Sequence, residues 1–187
     1  MAVFLIMILS PFLILISVLV LLNLGYPIFF IQKRAGYKCK EFGLIKFRTM
    51  NFKKNNSGDL LPDEDRITLF GKFLRSSSID ELPELFNIAR GDLSFIGPRP
   101  FISKYLPLYS KDQIKRHQVK PGLSGWAQIN GRNLISWNKK FEYDVWYVNN
   151  QSLFLDIKIL IITIFKVLTM EGINSSVEIS MKEFKGD

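Results

Sequence analysis

Residues 1–32 contain no Lys, Arg, His, Asp or Glu, and most of them are Leu, Ile, Val, Phe or Met. Roughly 20 such residues suffice for a helix that spans a bilayer. This segment therefore belongs in lipid, and the rest of the chain has to fold beside it. A cleaved leader is disfavoured, because no basic residue precedes the apolar run and no small-x-small cleavage site follows it. Ser10-Pro11 interrupts the run. Pro11 has no N–H and its ring crowds the carbonyl one turn earlier, at Met7, which bends or breaks a helix. The Ser10 hydroxyl is placed to satisfy the freed carbonyl. A bend gives a kinked span; a full break gives two half-helices, residues 4–9 and 12–24, that enter and leave by one face. In both cases Lys33, Arg34, Lys38 and Lys40, which follow directly, put the remainder on the cytoplasmic side and favour an anionic leaflet.

The chain divides accordingly into a membrane segment, residues 1–26, and one cytosolic domain, residues 27–187. Its net charge of +8 points to an anionic partner: nucleic acid, a lipid surface or a phosphate-rich substrate. Cys39 is the only cysteine and His117 the only histidine, so an intrachain disulfide is impossible and a Cys/His zinc site is disfavoured. There is no Walker loop, no dinucleotide fingerprint and no nucleic-acid recognition motif.

Two β-prone runs, residues 27–32 and 42–48, flank Ala35-Gly36-Tyr37-Lys38 and read as a hairpin in which Lys46 and Arg48 share a face. Residues 51–65 read as a polar loop. Short helices are expected over 67–74, 79–89, 101–106 and 111–118, and a longer one over 136–149, capped by Ser136 and bearing Trp137, Phe141, Val145 and Val148. Residues 153–168 form an apolar helix with Asp156, Lys158, Thr163 and Lys166 loosely on one side. It lies in a membrane interface or in a core. Gly172 ends it. The fold class is α+β, mostly helical.

The chemistry concentrates between Arg75 and Pro100. Ser78-Ile79-Asp80-Glu81 fits a capping box, and acidic residues suit a first helical turn, so a cap accounts for the pair. An ionised carboxylate is also a nucleophile, and arginine forks match phosphate oxygens. Gly97-Pro98-Arg99-Pro100 brackets one arginine with two prolines, which holds its backbone extended: a stiff anion grip or a structural turn. Residues 121–132, with Gly122, Gly125, Trp126, Gln128 and Arg132, read as a glycine-rich loop able to wrap a nucleotide, unless Trp126 fills a core.

Together these motifs resemble the bacterial sugar transferases, the small monotopic polyprenyl-phosphate phosphoglycosyl transferases. The resemblance covers nearly the whole chain. It rests on Ser10-Pro11, Lys46-Phe47-Arg48-Thr49-Met50, Arg75-Ser76, Asp80-Glu81-Leu82-Pro83, residues 91–100, Lys120-Pro121-Gly122, Gly125-Trp126-Ala127-Gln128, Asn130-Gly131-Arg132, Asp144-Val145-Trp146-Tyr147 and residues 156–160. It implies a re-entrant, helix-break-helix membrane segment broken at Ser10 and Pro11, and a compact cytosolic domain with short amphipathic interfacial helices on the bacterial inner membrane. It also implies transfer of a sugar 1-phosphate from a UDP-sugar to undecaprenyl phosphate, with release of UMP, to begin glycan assembly for protein glycosylation or surface polysaccharide. Asp80 becomes the nucleophile, with Glu81 beside it and Mg²⁺ held by both. Arg75, Arg99, Arg132, Gln128, Lys46 and Arg48 become substrate- and phosphate-binding residues. Residues 105–109 and 135–140 most resemble the enzymes acting on UDP-N,N′-diacetylbacillosamine. The chain departs from the family at its start, where Met1-Ala2-Val3 stands in place of a basic stretch containing Phe-Asp. A non-catalytic membrane module that binds lipid or a partner protein is the alternative reading.

Overall fold

The computed structural model describes residues 1–131, 134–169 and 183–186. The fold is mostly helical with two small sheets. The chain divides into two compact units, Met1–Ile31 with Ile45–Phe86, and Gln32–Leu44 with Asn87–Asp187.

In the first unit α1 runs unbroken over Ala2–Leu24, with Pro11 inside it. This corrects the two half-helices. The Ser10 hydroxyl donates to Met7 O at 2.7 Å, the carbonyl that Pro11 leaves without its usual donor, so the turn keeps its bonding and the helix continues. At 1.5 Å per residue it is about 35 Å long, enough to cross a hydrocarbon core of about 30 Å. Only 17% of its most apolar window is buried, which separates it from the core helix of a soluble protein. The buried part is a stripe: Leu13, Ile16 and Val20 pack with Phe47 and Leu74, and Ile79, Leu82 and Phe86 close around them.

Strands β1 (Phe29–Ala35) and β2 (Glu41–Phe47) pair as the expected hairpin, joined through a tight turn at Tyr37–Cys39. The polar stretch after β2 is less irregular than expected, with α2 at Asp63–Arg66 and bridges joining Lys54 to Leu60 and Met50 to Ile67. That last bridge holds Ile67 extended, so α3 starts two residues later than its periodicity suggests. It spans Leu69–Ser76, with the Thr68 hydroxyl accepting from Gly71 N at 3.0 Å. A 3-10 turn, Ile79–Glu81, precedes α4 (Glu84–Arg90), whose last four residues belong to the second unit.

In the second unit β3 (Ser94–Ile96) runs parallel to β4 (Gly122–Ser124), a pairing that three-residue strands do not announce in sequence. Between them the two expected helices are 3-10 turns, Ser103–Leu108 and Gln113–Gln118. Pro107, inside the first, removes a donor and limits the helix. After α5 (Trp126–Ile129), α6 spans Trp137–Asn150, capped by Ser136 as expected, and α7 spans Leu153–Leu168, capped by Ser152. The buried face of α6 includes two charged residues, Lys140 and Asp144, beside Phe141 and Tyr147. On α7, Leu155 and Ile159 are buried. Leu153, Phe154, Ile157, Leu160, Ile161, Ile164, Phe165 and Leu168 are exposed. The polar positions Asp156 and Thr163 point inward, to Tyr147 and Ser124. Gly172 lies outside the described residues.

His117 is buried in this unit, stacked on Tyr109 and bonded through Nδ1 to Gly36 O at 2.9 Å. Burial and the neighbouring Arg116 push its pKa from 6.5 to about 4, against the Gly36 bond that raises it. As pH falls below 6.5 the unfolded chain takes up a proton that the folded one refuses until about 4, so this contribution to stability is lost across that window. The loss is on the order of 3 kcal/mol. His117→Gln should flatten that acid limb of the stability profile, measured by thermal unfolding in detergent at stepped pH.

Candidate functional site

Asp80 and Glu81 sit in the 3-10 turn of the first unit, and Asp80 is 8% exposed. Ser78 does not cap a helix there. It takes φ 57° and ψ 15°, and its side chain makes no capping bond. The reason is Pro83, whose fixed φ and missing N–H start a helix well and interrupt one begun at Ile79. The single helix expected over 79–89 therefore divides. The carboxylate pair gets a turn of its own, closed by Glu81 N to Ser78 O at 3.2 Å and Leu82 N to Ile79 O at 3.1 Å. A left-handed serine costs on the order of 1 kcal/mol, the kind of local strain that gathers at functional sites.

Lys46, from β2, places Nζ 2.6 Å from Glu81 Oε1 and 3.2 Å from Glu84 Oε1. One ammonium thus serves two carboxylates. Glu84 is 1% exposed and was not among the expected site residues, although its i+3 spacing from Glu81 is the available signal. Arg75, in the last turn of α3, donates from Nε to Thr49 Oγ1 at 3.0 Å. Arg48 is buried beneath the Phe52 ring. Its Nη2 donates to Leu24 O at 2.6 Å and Gly25 O at 2.5 Å, the last carbonyl of α1 and that of the residue that ends it. Its Nε and Nη1 are buried with no hydrogen-bond partner. Asp80, Glu81, Lys46, Arg48 and Arg75 therefore belong to one unit. The residues flanking the carboxylates, Ile79 and Leu82, pack on the buried stripe of α1.

Arg99 and Gln128 belong to the second unit, where the structure explains the stiffness around Arg99. Four consecutive carbonyls are held by four different donors. Gly122 N reaches Pro98 O at 3.0 Å, Arg116 Nη2 reaches Arg99 O at 2.6 Å, Arg34 Nη1 reaches Pro100 O at 3.1 Å, and Ala35 N reaches Phe101 O at 3.0 Å. Arg116 also donates to Asp144 Oδ2 from Nη2 at 2.7 Å and Nε at 3.0 Å, and its guanidinium stacks 3.9 Å from the Phe101 ring. Burial pushes the Asp144 carboxyl up and Arg116 opposes it. Burial and then Arg99 push Lys140 down to about 8, against Asp144. Gln128 has both amide atoms buried without a partner. Gly122 and Gly125 permit close approach rather than flexibility, since a Cβ on either would stand 2.1 Å from the Gly97 backbone. Trp126 stacks on Trp146 with centroids 4.7 Å apart and packs against the core of this unit. Arg132 lies outside the described residues.

Among the described residues no group of three or more His, Cys, Asp or Glu could hold a metal by itself. The oxygen donors of Asp80 and Glu81 do suit a hard cation that takes its remaining ligands from substrate phosphates and water.

Comparison with known proteins matches residues 1–170 to the profile described as bacterial sugar transferase. The chain is 52% identical over 185 residues to the uncharacterized sugar transferase EpsL of Bacillus subtilis (strain 168), covering 99% of this chain and 92% of that protein. It is 39% identical to the UDP-glucose:undecaprenyl-phosphate glucose-1-phosphate transferase of Xanthomonas campestris pv. campestris, over 84% of this chain but only 35% of the relative. It is 36% identical to the exopolysaccharide production protein ExoY of Rhizobium meliloti (strain 1021), over 87% of this chain and 80% of the relative.

The left-handed Ser78 gives a direct test of the turn. Ser78→Gly should raise stability by roughly 0.5–1 kcal/mol, because glycine adopts this conformation without strain. A true cap would lose stability on the same change. Thermal or denaturant unfolding in detergent distinguishes the two signs.

Proposed function

Because the chain belongs to the bacterial sugar transferase family, we propose that this enzyme transfers a sugar 1-phosphate from a UDP-sugar to undecaprenyl phosphate and releases UMP. The observation that carries the reading is the seating of Asp80-Glu81. The turn that bears them packs through Ile79 and Leu82 on an apolar helix long enough to cross a membrane. A carboxylate held there can meet a substrate that cannot leave the lipid.

The reaction proceeds in two displacements. An Asp80 carboxylate oxygen attacks the β-phosphorus of the UDP-sugar. The bond from that phosphorus to the oxygen bridging the α-phosphate breaks, and UMP leaves with the electron pair. A phosphate oxygen of the lipid acceptor then attacks the same phosphorus, and the aspartyl–phosphorus bond breaks to restore Asp80. Lys46 holds Glu81 and Glu84 and balances their charge beside the nucleophile. Arg75 is a phosphate-binding arginine of this unit, beside the same role implied for Arg48. Arg99 and Gln128, with Arg132, keep the phosphate- and substrate-binding roles implied by the motifs that carry them. Mg²⁺, held by Asp80 and Glu81, would supply charge neutralisation on the diphosphate.

We assign the product to surface polysaccharide or protein glycosylation, and the donor to the UDP-hexoses and UDP-N-acetylhexosamines, with UDP-N,N′-diacetylbacillosamine among them. The catalytic domain faces the cytoplasm at the inner membrane. The outward apolar stripe of α7 suits a membrane interface, with the basic residues near the hairpin on an anionic surface. For α1 we propose re-entry by the face it left, through a bend at Ser10-Pro11 that leaves the helix unbroken rather than through two separate half-helices.

A UMP-release screen across UDP-sugars with undecaprenyl phosphate identifies the donor. With that donor radiolabelled in the sugar, wild-type protein should carry covalent sugar phosphate and Asp80→Asn should carry none; equal labelling of the variant would remove Asp80 from the nucleophile's place. In the same assay a chelator should abolish turnover and added Mg²⁺ should restore it, and turnover indifferent to chelation would dismiss the metal. Topology is read separately, from a cysteine introduced at Ala2 in a Cys39→Ser background. Labelling of that cysteine by an impermeant reagent from the cytoplasmic side supports re-entry, and labelling from the opposite side establishes a span.

A further inference from the structure

We propose that Arg48 and the groove beside α1 form the seat of the lipid acceptor, with its phosphate on the Arg48 guanidinium and its isoprenoid chain along the helix. This rests on the reaction proposed above and assigns one of its two substrates a place.

Arg48 is 4% exposed, and its Nη2 is committed to Leu24 O and Gly25 O. Those bonds fix the guanidinium at the end of α1, the level at which lipid phosphates lie if the helix is in a bilayer. Its Nε and Nη1 remain buried without partners. Leaving a buried, charged donor unsatisfied is costly, so an anion that uses these two N–H groups is favoured. The face of the guanidinium lies 4.7 Å from the ring centroid of Phe52, a residue that is itself half exposed.

The tail has a matching place. An apolar groove of about 240 Å³ lies along α1, lined by Leu13, Ile14 and Ser17 of the helix and by Phe29, Phe47 and Phe86. Phe47 is the residue before Arg48. From Ser17 to Leu24 the helix advances about 10 Å, so a chain attached to a phosphate at Arg48 runs back along α1 into the groove. The occupant is a long-chain lipid phosphate rather than a free anion, because a charged seat and an apolar groove follow one helix in order.

The test separates the two half-reactions in purified, full-length protein in nanodiscs. With Arg48→Met, covalent sugar-phosphate labelling from the UDP-sugar should stay within about twofold of wild type. Discharge of the label by undecaprenyl phosphate should slow about 10- to 100-fold. Equal slowing of both half-reactions would reduce Arg48 to a helix anchor and overturn the proposal, as would unchanged discharge. Ile14→Trp, which fills the groove without touching Arg48, should raise KM for undecaprenyl phosphate about tenfold and leave KM for a two-isoprene phosphate unchanged. A change common to both acceptors would remove the tail from the groove. Direct binding of undecaprenyl phosphate in the absence of any UDP-sugar provides the independent arm. Arg48→Met should weaken it about tenfold, whereas inorganic phosphate competing as well as the lipid would show an anion site without lipid specificity and overturn the assignment. If wild type never labels, the covalent reading of Asp80 fails while this binding arm still decides the lipid seat.

Discussion

The packing of one stripe of α1 against the turn that carries Asp80 is the constraint on which the first unit depends. An apolar helix in lipid gains little from burying its surface in protein, since lipid is as apolar as leucine, and the contact must be close-packed to persist. Leu13, Ile16 and Val20 achieve this with Phe47, Leu74 and the partly buried Ile79, Leu82 and Phe86. The flanks of the carboxylate pair are therefore part of the helix contact. Displacing the helix would displace the carboxylate pair, so the apolar helix and the two carboxylates are coupled within one short stretch of packing.

Charge is arranged differently in the two units, though the rule is the same: a buried charge is held by more than one partner. Removing one member of a buried pair typically costs 3–5 kcal/mol, because the other is left uncompensated. In the first unit Lys46 serves both Glu81 and Glu84. In the second unit Arg116 divides its donors between Asp144 and Arg99 O while stacking on Phe101. That division converts a buried ion pair into a hold on the backbone of Arg99. Proline brackets alone would restrict φ there; the four carbonyl bonds fix position as well.

Sequence was informative where one local interaction decides the outcome. Ser136 caps α6, Ser10 repairs the bond that Pro11 removes, and the lengths of α1 and α7 follow from long, predominantly apolar runs. Legibility failed where two local signals competed. Ser78 and Glu81 match a capping box, but Pro83 restarts the helix at Glu84 instead of the Ile79 start that box requires. Gly122 and Gly125 read as flexibility, yet their lack of a side chain is used for backbone contact with Gly97, a long-range fact no local pattern contains. Glu84, Arg116 and Asp144 were missed for a related reason. A charged residue at a helical position reads as solvated unless its partner is known, and these partners lie 28 residues or more away in sequence.

The face that α7 presents sharpens the membrane argument beyond hydropathy. In a water-soluble domain the polar side of an amphipathic helix faces out, and isolated exposed apolar residues need no explanation. Here the order is reversed over four turns. Asp156 accepts from the buried Tyr147 hydroxyl at 2.7 Å and Thr163 meets Ser124 at 2.6 Å, while eight large apolar side chains from Leu153 to Leu168 stay uncovered. Both polar residues are satisfied inside, so the helix is not misplaced, and turning it outward would bury apolar atoms only by leaving Tyr147 and Ser124 without these partners. A helix that turns Asp156 and Thr163 to the protein and eight large apolar side chains outward suits surroundings that are themselves apolar.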